Sequence, residues 1–289
     1  MKEKFDWVAE HERTEKLPYS IKELLMKILD GFKKAMWERN QSSVIIVDGK
    51  SGMGKTTLSF QIANYMTPNF TLDNVHFTPE EFLKGLELAT KGDVVIFDEA
   101  MLISSRSALS SINRMVIQAM SMIRSRNIMV IFNVNSIFDL DRNLALSRAD
   151  LLLHCYGESL TDRGKYMAFF KGADGMDRIK GLYLNGKKYY SYNTPRSNFF
   201  THFPSYFVLN NEEYEIKKQK GIDKFLKSDK GTVGYREKKN EEALINALYH
   251  YHYDLGHSVE DTAATFNMIP PTVYDKLRKR RLSLGFDRV

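Results

Sequence analysis

A chain of 289 residues, 43% hydrophobic and 27% charged, has enough material for one large or two modest domains with a sizeable core, which excludes a disordered class. Its net charge of +6 permits an anionic partner without requiring one, and its single cysteine excludes an internal disulfide framework and fits a reducing cytosol. No apolar run approaches the ~20 residues of a membrane helix, and Met1-Lys2-Glu3-Lys4 leads into mixed charge rather than an apolar signal segment. The expectation is a cytoplasmic protein with no membrane segment.

Residues 1–41 read as an N-terminal helical segment. Positions 1–17 carry little pattern. From Pro18, Ile21, Leu24, Leu25, Ile28, Leu29, Phe32 and Met36 recur at helical spacing, and Ser20 followed by Glu23 reads as a capping box. Asn40-Gln41-Ser42-Ser43 breaks that helix. Residues 42–215 then alternate strands and helices, the pattern of a mostly parallel α/β sheet. The expected strands are 44–47, 94–97, 128–132 and 151–155. Helices are expected after residue 57, from Thr78-Pro79 to Gly92, from 112 to 123, and over 140–146. Residues 164–192 predict β-hairpins, with Asn185-Gly186 as a tight turn. The aromatic run 198–207 is expected to cover the domain's flank, by core packing rather than base stacking. Residues 216–240, dominated by Lys, Asp, Glu and Gly, predict a solvated helix and a linker.

Two stretches carry chemistry. Val44-Ile45-Ile46-Val47-Asp48 runs into Gly49-Lys50-Ser51-Gly52-Met53-Gly54-Lys55-Thr56-Thr57, which fits G-x-x-x-x-G-K-[ST] in its strand–loop–helix context. Small residues let the loop curl so that backbone N–H groups meet phosphate oxygens, and the following helix adds its positive end. Lys55 is expected at the β/γ-phosphates and Thr56 on Mg²⁺. Further on, Asp98-Glu99 ends an apolar strand. Asp98 would hold Mg²⁺ directly or through water, and Glu99 would activate the attacking water. Asn133 or Asn135, after the next strand, could sense the γ-phosphate. Strand alternation lets only one point in, and loop geometry favours Asn135. Arg148 is a candidate arginine finger for a neighbouring subunit's nucleotide, competing with Arg124, Arg126 and Arg106.

These motifs resemble the additional-strand, catalytic-glutamate class of P-loop ATPases. The run 98–155 is similar, more narrowly, to the FtsK–HerA superfamily of DNA-pumping ATPases, whose small viral and plasmid-borne members include zonula occludens toxin-like proteins. The likeness covers roughly residues 42–160 and rests on Asp98-Glu99-Ala100, Asn113, Arg124, Asp139-Leu140-Asp141 and Arg148-Ala149-Asp150. It departs where that superfamily has Gln and this chain has Asn133 and Asn135. Asn there, with Ser147-Arg148, also resembles sensor 1 and the arginine finger of AAA+ proteins.

Residues 241–289 predict three helices: one carrying Ala243, Leu244, Ala247, Leu248 and Tyr251 on one side, a short second capped by Ser258, and a third from Pro271 to Leu282. Short helix, tight turn and basic helix resemble a helix-turn-helix. Lys276, Arg278, Lys279, Arg280 and Arg281 form a phosphate-contacting stripe, with Thr272 and Tyr274 where base edges would be read. The leading expectation is an ATP- and Mg²⁺-dependent homo-oligomeric ring that moves double-stranded DNA for a virus or mobile element. The alternatives are an AAA+-like switch or loader in replication or transposition, and a nucleotide-gated DNA-binding regulator.

Overall fold

The computed structural model describes residues 5–98, 123, 126–140, 142–159 and 161–283, with the backbone alone at 143, 225–240, 279, 282 and 283. The chain divides into two units, Met1–Ile222 and Asp223–Val289.

The first unit is built on a seven-stranded sheet in the order β2-β3-β4-β1-β5-β6-β7. Strands β1 (Ser43–Asp48), β2 (Val75–His76), β3 (Val94–Asp98), β4 (Met129–Asn133) and β5 (Leu151–Tyr156) are parallel to their neighbours. Strands β1, β3 and β4 are buried throughout, as their unbroken apolar runs require of strands covered on both faces. Register pairs Asp98 with Asn133 and Asp48 with His154, so these polar residues line one edge of the sheet. Strands β6 (Lys165–Phe169) and β7 (Phe199–His202) continue it antiparallel.

Helix α1 (Trp7–Glu15) falls where the sequence shows little pattern; Asp6 caps it through the Val8 and Ala9 amides. Helix α2 (Glu23–Glu38) begins at Glu23 without a side-chain cap, so the expected Ser20–Glu23 capping box does not form. Instead the chain bends at Pro18 and Tyr19, and Leu17 and Ile21 pack on the core. Helix α3 (Lys55–Met66) is buried on nearly every side. Arg13 of α1 donates to the Asn64 and Tyr65 carbonyls at its end (2.8 and 2.6 Å), groups the helix itself leaves unpaired. Lys33 of α2 is fully buried, 2.7 Å from Glu10 and over the Tyr65 ring, which joins α1, α2 and α3. Helix α4 (Pro79–Leu88) starts as expected, with Thr78 capping and Pro79 in the first turn. Helix α5 spans Arg142–Ser147. The expected helix over 112–123 lies outside the described residues.

The hairpin expected over 164–192 is corrected in its second half: Arg178–Gly186 is helix α6, capped by Asp177. Ile179, Leu182, Tyr183 and Gly186 recur at helical spacing and are buried, so Asn185-Gly186 ends the helix rather than forming a hairpin turn, and a side chain at 186 would meet the Ser191 carbonyl and Phe138. Across 216–240 the expected linker is helical too. Helix α7 (Asn211–Tyr249) is started by the Asn210 side chain, contains no proline and is rich in Lys and Glu, good helix formers.

In the second unit the chain continues from Asp223 along α7 to Tyr249, then a wide turn over His250–Asp254, α8 (Val259–Thr265) and α9 (Pro270–Ser283). Ser258 caps α8 through the Asp261 amide, and Leu248, Ala263, Val273 and Leu277 form a small core. No helix among the described residues is long and apolar enough to cross a membrane.

Candidate functional site

Strand β1 ends at Asp48 and the chain swings into the glycine-rich loop. Gly49 has φ +132°, and a Cβ there would lie 2.1 Å from the Cys155 carbonyl oxygen, so only glycine lets the loop pass β5. Gly54 caps α3 in the left-handed region, and a Cβ would meet the Phe203 ring at 2.8 Å. The loop, with glycine wherever the backbone must pass closest, leads into a helix N-terminus, the arrangement that receives phosphate. Lys50, Ser51 and Gly52 are exposed, Met53 is buried, and Thr56 and Thr57 are half-buried. The buried Lys55 ammonium donates to the Gly49 and Lys50 carbonyls (2.7 and 3.2 Å) and lies 3.4 Å from Asn135 Oδ1. Burial holds its pKa below the usual lysine range, with Asp98 and Asp48 acting the other way.

Asp98 closes β3 and is 3% exposed. Its Oδ2 accepts from Thr56 Oγ1 at 3.0 Å and from the Tyr214 hydroxyl at 2.9 Å. Its Oδ1 is buried with no hydrogen-bond partner among the described residues. A buried carboxylate oxygen without a donor is costly unless a cation or its water shell meets it, so Asp98 and the adjacent Thr56 hydroxyl fit a divalent cation. No cluster of three or more His, Cys, Asp or Glu side chains able to hold a metal exists among the described residues. A cation here would rely on these few oxygens, its own waters and a nucleotide's phosphates, as Mg²⁺ does.

The two asparagines separate. Asn133 turns inward beneath α3, where its Oδ1 accepts from Ser59. Asn135 alone faces Lys55, and its carbonyl accepts the Gly49 amide at 3.2 Å. Arg148 is exposed at the end of α5. Arg126 is engaged elsewhere, donating to the Glu87 and Ala89 carbonyls at the end of α4. Glu99, Arg106 and Arg124 lie outside the described residues.

Sequence reasoning missed two groups. One is Tyr214, in the first turn of α7. The other is a hub around the fully buried Asp48. Asp48 accepts from the Ile137 amide at 2.8 Å and from the Tyr192 hydroxyl, and contacts His154 Nδ1 at 2.9 Å. The His154 and Tyr192 rings stack, with centroids 3.5 Å apart. Burial, then the Asp48 charge, push the Tyr192 pKa up. The hub fixes the start of the phosphate loop against the segment that carries Asn135. No local signal marks either group, because each depends on residues more than a hundred positions apart.

In the second unit, Val273 and Leu277 of α9 face the core, while Tyr274 (60% exposed) and Arg278 face solvent. Thr272, Arg280 and Arg281 are half-buried, Lys276 pairs with Glu241 at 2.9 Å, and the Lys279 side chain lies outside the described residues.

A glycine-rich loop between a parallel strand and a helix, at the edge where such sheets bind ligands, makes this protein a P-loop nucleoside triphosphatase. Residues 45–155 match the ATPase family associated with various cellular activities (AAA), and the protein is an ATPase that uses ATP with Mg²⁺. None of the curated proteins compared with the chain matches it.

Proposed function

We propose that this ATPase is a ring-forming motor that moves double-stranded DNA, recruited by a helix-turn-helix over residues 241–289. In this reading the loop 49–57 cradles the phosphates and Lys55 neutralises the β/γ-oxygens. Thr56 and Asp98 hold Mg²⁺, Glu99 activates water, Asn135 senses the γ-phosphate, and Arg148 reaches a neighbour's nucleotide. Bound Mg²⁺ supplies charge neutralisation at the transferred phosphoryl group. The chain's own residues orient it and keep Lys55 desolvated, where its charge acts most strongly.

The observation carrying the DNA partner is α9, which buries Val273 and Leu277 and leaves Tyr274 and Arg278 outward on a helix rich in Lys and Arg. Such a stripe meets phosphates, and its first turn is placed for base edges. The FtsK–HerA likeness and a viral or mobile-element setting belong to the same proposal.

A second reading, an AAA+-like switch that loads or times an assembly on DNA, is favoured by the family match over 45–155 and by Asn135 facing Lys55. One experiment separates them: ATP turnover and triplex-strand displacement on duplex DNA, measured for the full chain, Lys55→Ala and a truncation at about residue 237. The motor reading expects DNA-stimulated turnover and displacement, both lost in Lys55→Ala. Truncation should spare basal turnover and lower DNA affinity and its salt slope. Turnover indifferent to DNA, without displacement, would sink the motor and leave the switch.

A further inference from the structure

Tyr214 stands at the cation-facing aspartate without being a plausible ligand itself. It lies in the first turn of α7, 2% exposed, and its ring is enclosed edge-on or tilted by Phe60, Phe77 and Phe207, with centroids 5.5–5.7 Å away. The helix start is set by Asn210, whose side chain accepts the Glu212 and Glu213 amides and whose carbonyl accepts the Tyr214 amide at 3.1 Å. Ring and backbone are both fixed, so the hydroxyl has little choice of direction. It donates to Asp98 Oδ2, the oxygen that already accepts Thr56 Oγ1.

Two donors on one carboxylate oxygen and none among the described residues on the other is an uneven arrangement. A freely rotating carboxylate would share them or turn its bare oxygen toward solvent. At Asp98 the bare Oδ1 is buried. The donors come from opposite ends of the unit's sequence, 42 and 116 residues away, so together they clamp the terminal torsion of the side chain. Thr56 spends only its proton on Asp98, which leaves its oxygen lone pairs for a cation. The Tyr214 proton reinforces the same oxygen and leaves Oδ1 as the acceptor still to be used.

We infer that Tyr214 is a positioning residue for the Mg²⁺ of the nucleotide: it locks Asp98 so that Oδ1 is presented to the cation or its bound water. The inference rests on Asp98 as the cation-facing carboxylate, and it adds that the aspartate's orientation is set from α7. Partners of this kind, one bond removed from a metal ligand, typically change metal affinity by about 10- to 100-fold when lost. With Thr56 still holding Oδ2, the lower end applies. The hydroxyl touches no part of the phosphate loop's backbone cradle, so binding of nucleotide without metal is independent of it.

The test uses the full chain, Mn²⁺ as a spectroscopic probe for Mg²⁺, and a non-hydrolysable ATP analogue. Mn²⁺ affinity is read by electron paramagnetic resonance at saturating analogue, and analogue affinity is read again in excess chelator. Tyr214→Phe keeps the ring contacts and removes only the hydroxyl. The expected result is about tenfold weaker Mn²⁺ binding with metal-free analogue affinity unchanged; a ring that merely fills space would move neither. Unchanged Mn²⁺ affinity in Tyr214→Phe, while Asp98→Asn weakens it, overturns the role of Tyr214 and leaves the site intact. Unchanged Mn²⁺ affinity in Asp98→Asn overturns the cation reading of Asp98, and this inference with it.

Discussion

Asp48 and Asp98 close two strands at the same edge of the sheet, 0% and 3% exposed, with β4 between them, yet their carboxylates keep opposite company. Both oxygens of Asp48 are used, by His154 on one side and by the Ile137 amide and Tyr192 on the other. Asp98 gives one oxygen to two donors and leaves the other bare among the described residues. Burial alone therefore does not distinguish the two carboxylates; the distribution of donors over their two oxygens does. Asp48 is bound into the scaffold that shapes the loop, whereas Asp98 keeps one acceptor that no described residue uses, as the proposed cation role requires.

That contrast is breakable by exchanging charge for amide at each site. Asp98→Asn should lower Mg²⁺-dependent ATP turnover by at least about a hundredfold, the several kcal/mol a bound cation contributes, with a smaller stability loss than at Asp48, because fewer donors lose a buried charged partner. Asp48→Asn should do the reverse first, lowering unfolding free energy by about 3 kcal/mol because its donors lose a buried charged partner. Denaturant titration beside steady-state turnover reads both, and equal stability losses would erase the distinction. Tyr192→Phe removes one donor from Asp48 and should cost about 1–2 kcal/mol, again by denaturant midpoint. A cost near zero would mean that His154 and Ile137 hold Asp48 without it.

His76 sharpens the comparison from another side, since its buried Nε2 also lacks a partner among the described residues. Burial, then the Lys217 charge, bring its pKa down from 6.5 to about 4. The folded protein thus binds this proton less readily than the unfolded chain. The contribution to stability is complete above pH 6.5 and is lost as pH falls toward 4, by roughly 1 kcal/mol per pH unit. His76→Asn should flatten that slope in a pH series of denaturant midpoints. An unpartnered atom that reports only in this way is a packing feature beside Gly85, unlike Asp98 Oδ1.

What could be read from the sequence was what is local. The loop 49–57, the strands through Val47, Phe97 and Leu153, and the Thr78-Pro79 helix start each announce themselves within a few residues. Asn185-Gly186 misled because its turn chemistry is local while the force that wins is not: Gly186 abuts Phe138, and Ile179, Leu182 and Tyr183 bury a helical face. Over 216–240 the expected solvated helix is present but runs on through the expected linker, because Lys and Glu sustain a helix once Asn210 starts it. Tyr214 and Tyr192 were invisible because each acts on an aspartate 116 or 144 positions earlier.

The wrapping of α3 has a consequence for the birth of the protein. The Gln61 amide reaches the Pro204 and Tyr206 carbonyls, 143 and 145 positions downstream. At ~5–20 residues per second on the ribosome, roughly 7–30 s separate the emergence of the phosphate loop from that of the segment that closes over it. During that interval a helix made to be buried on nearly every side is offered to chaperones with its cover still unmade. A ribosome stalled before residue 214 would display a finished phosphate-loop sequence with Asp98 not yet clamped.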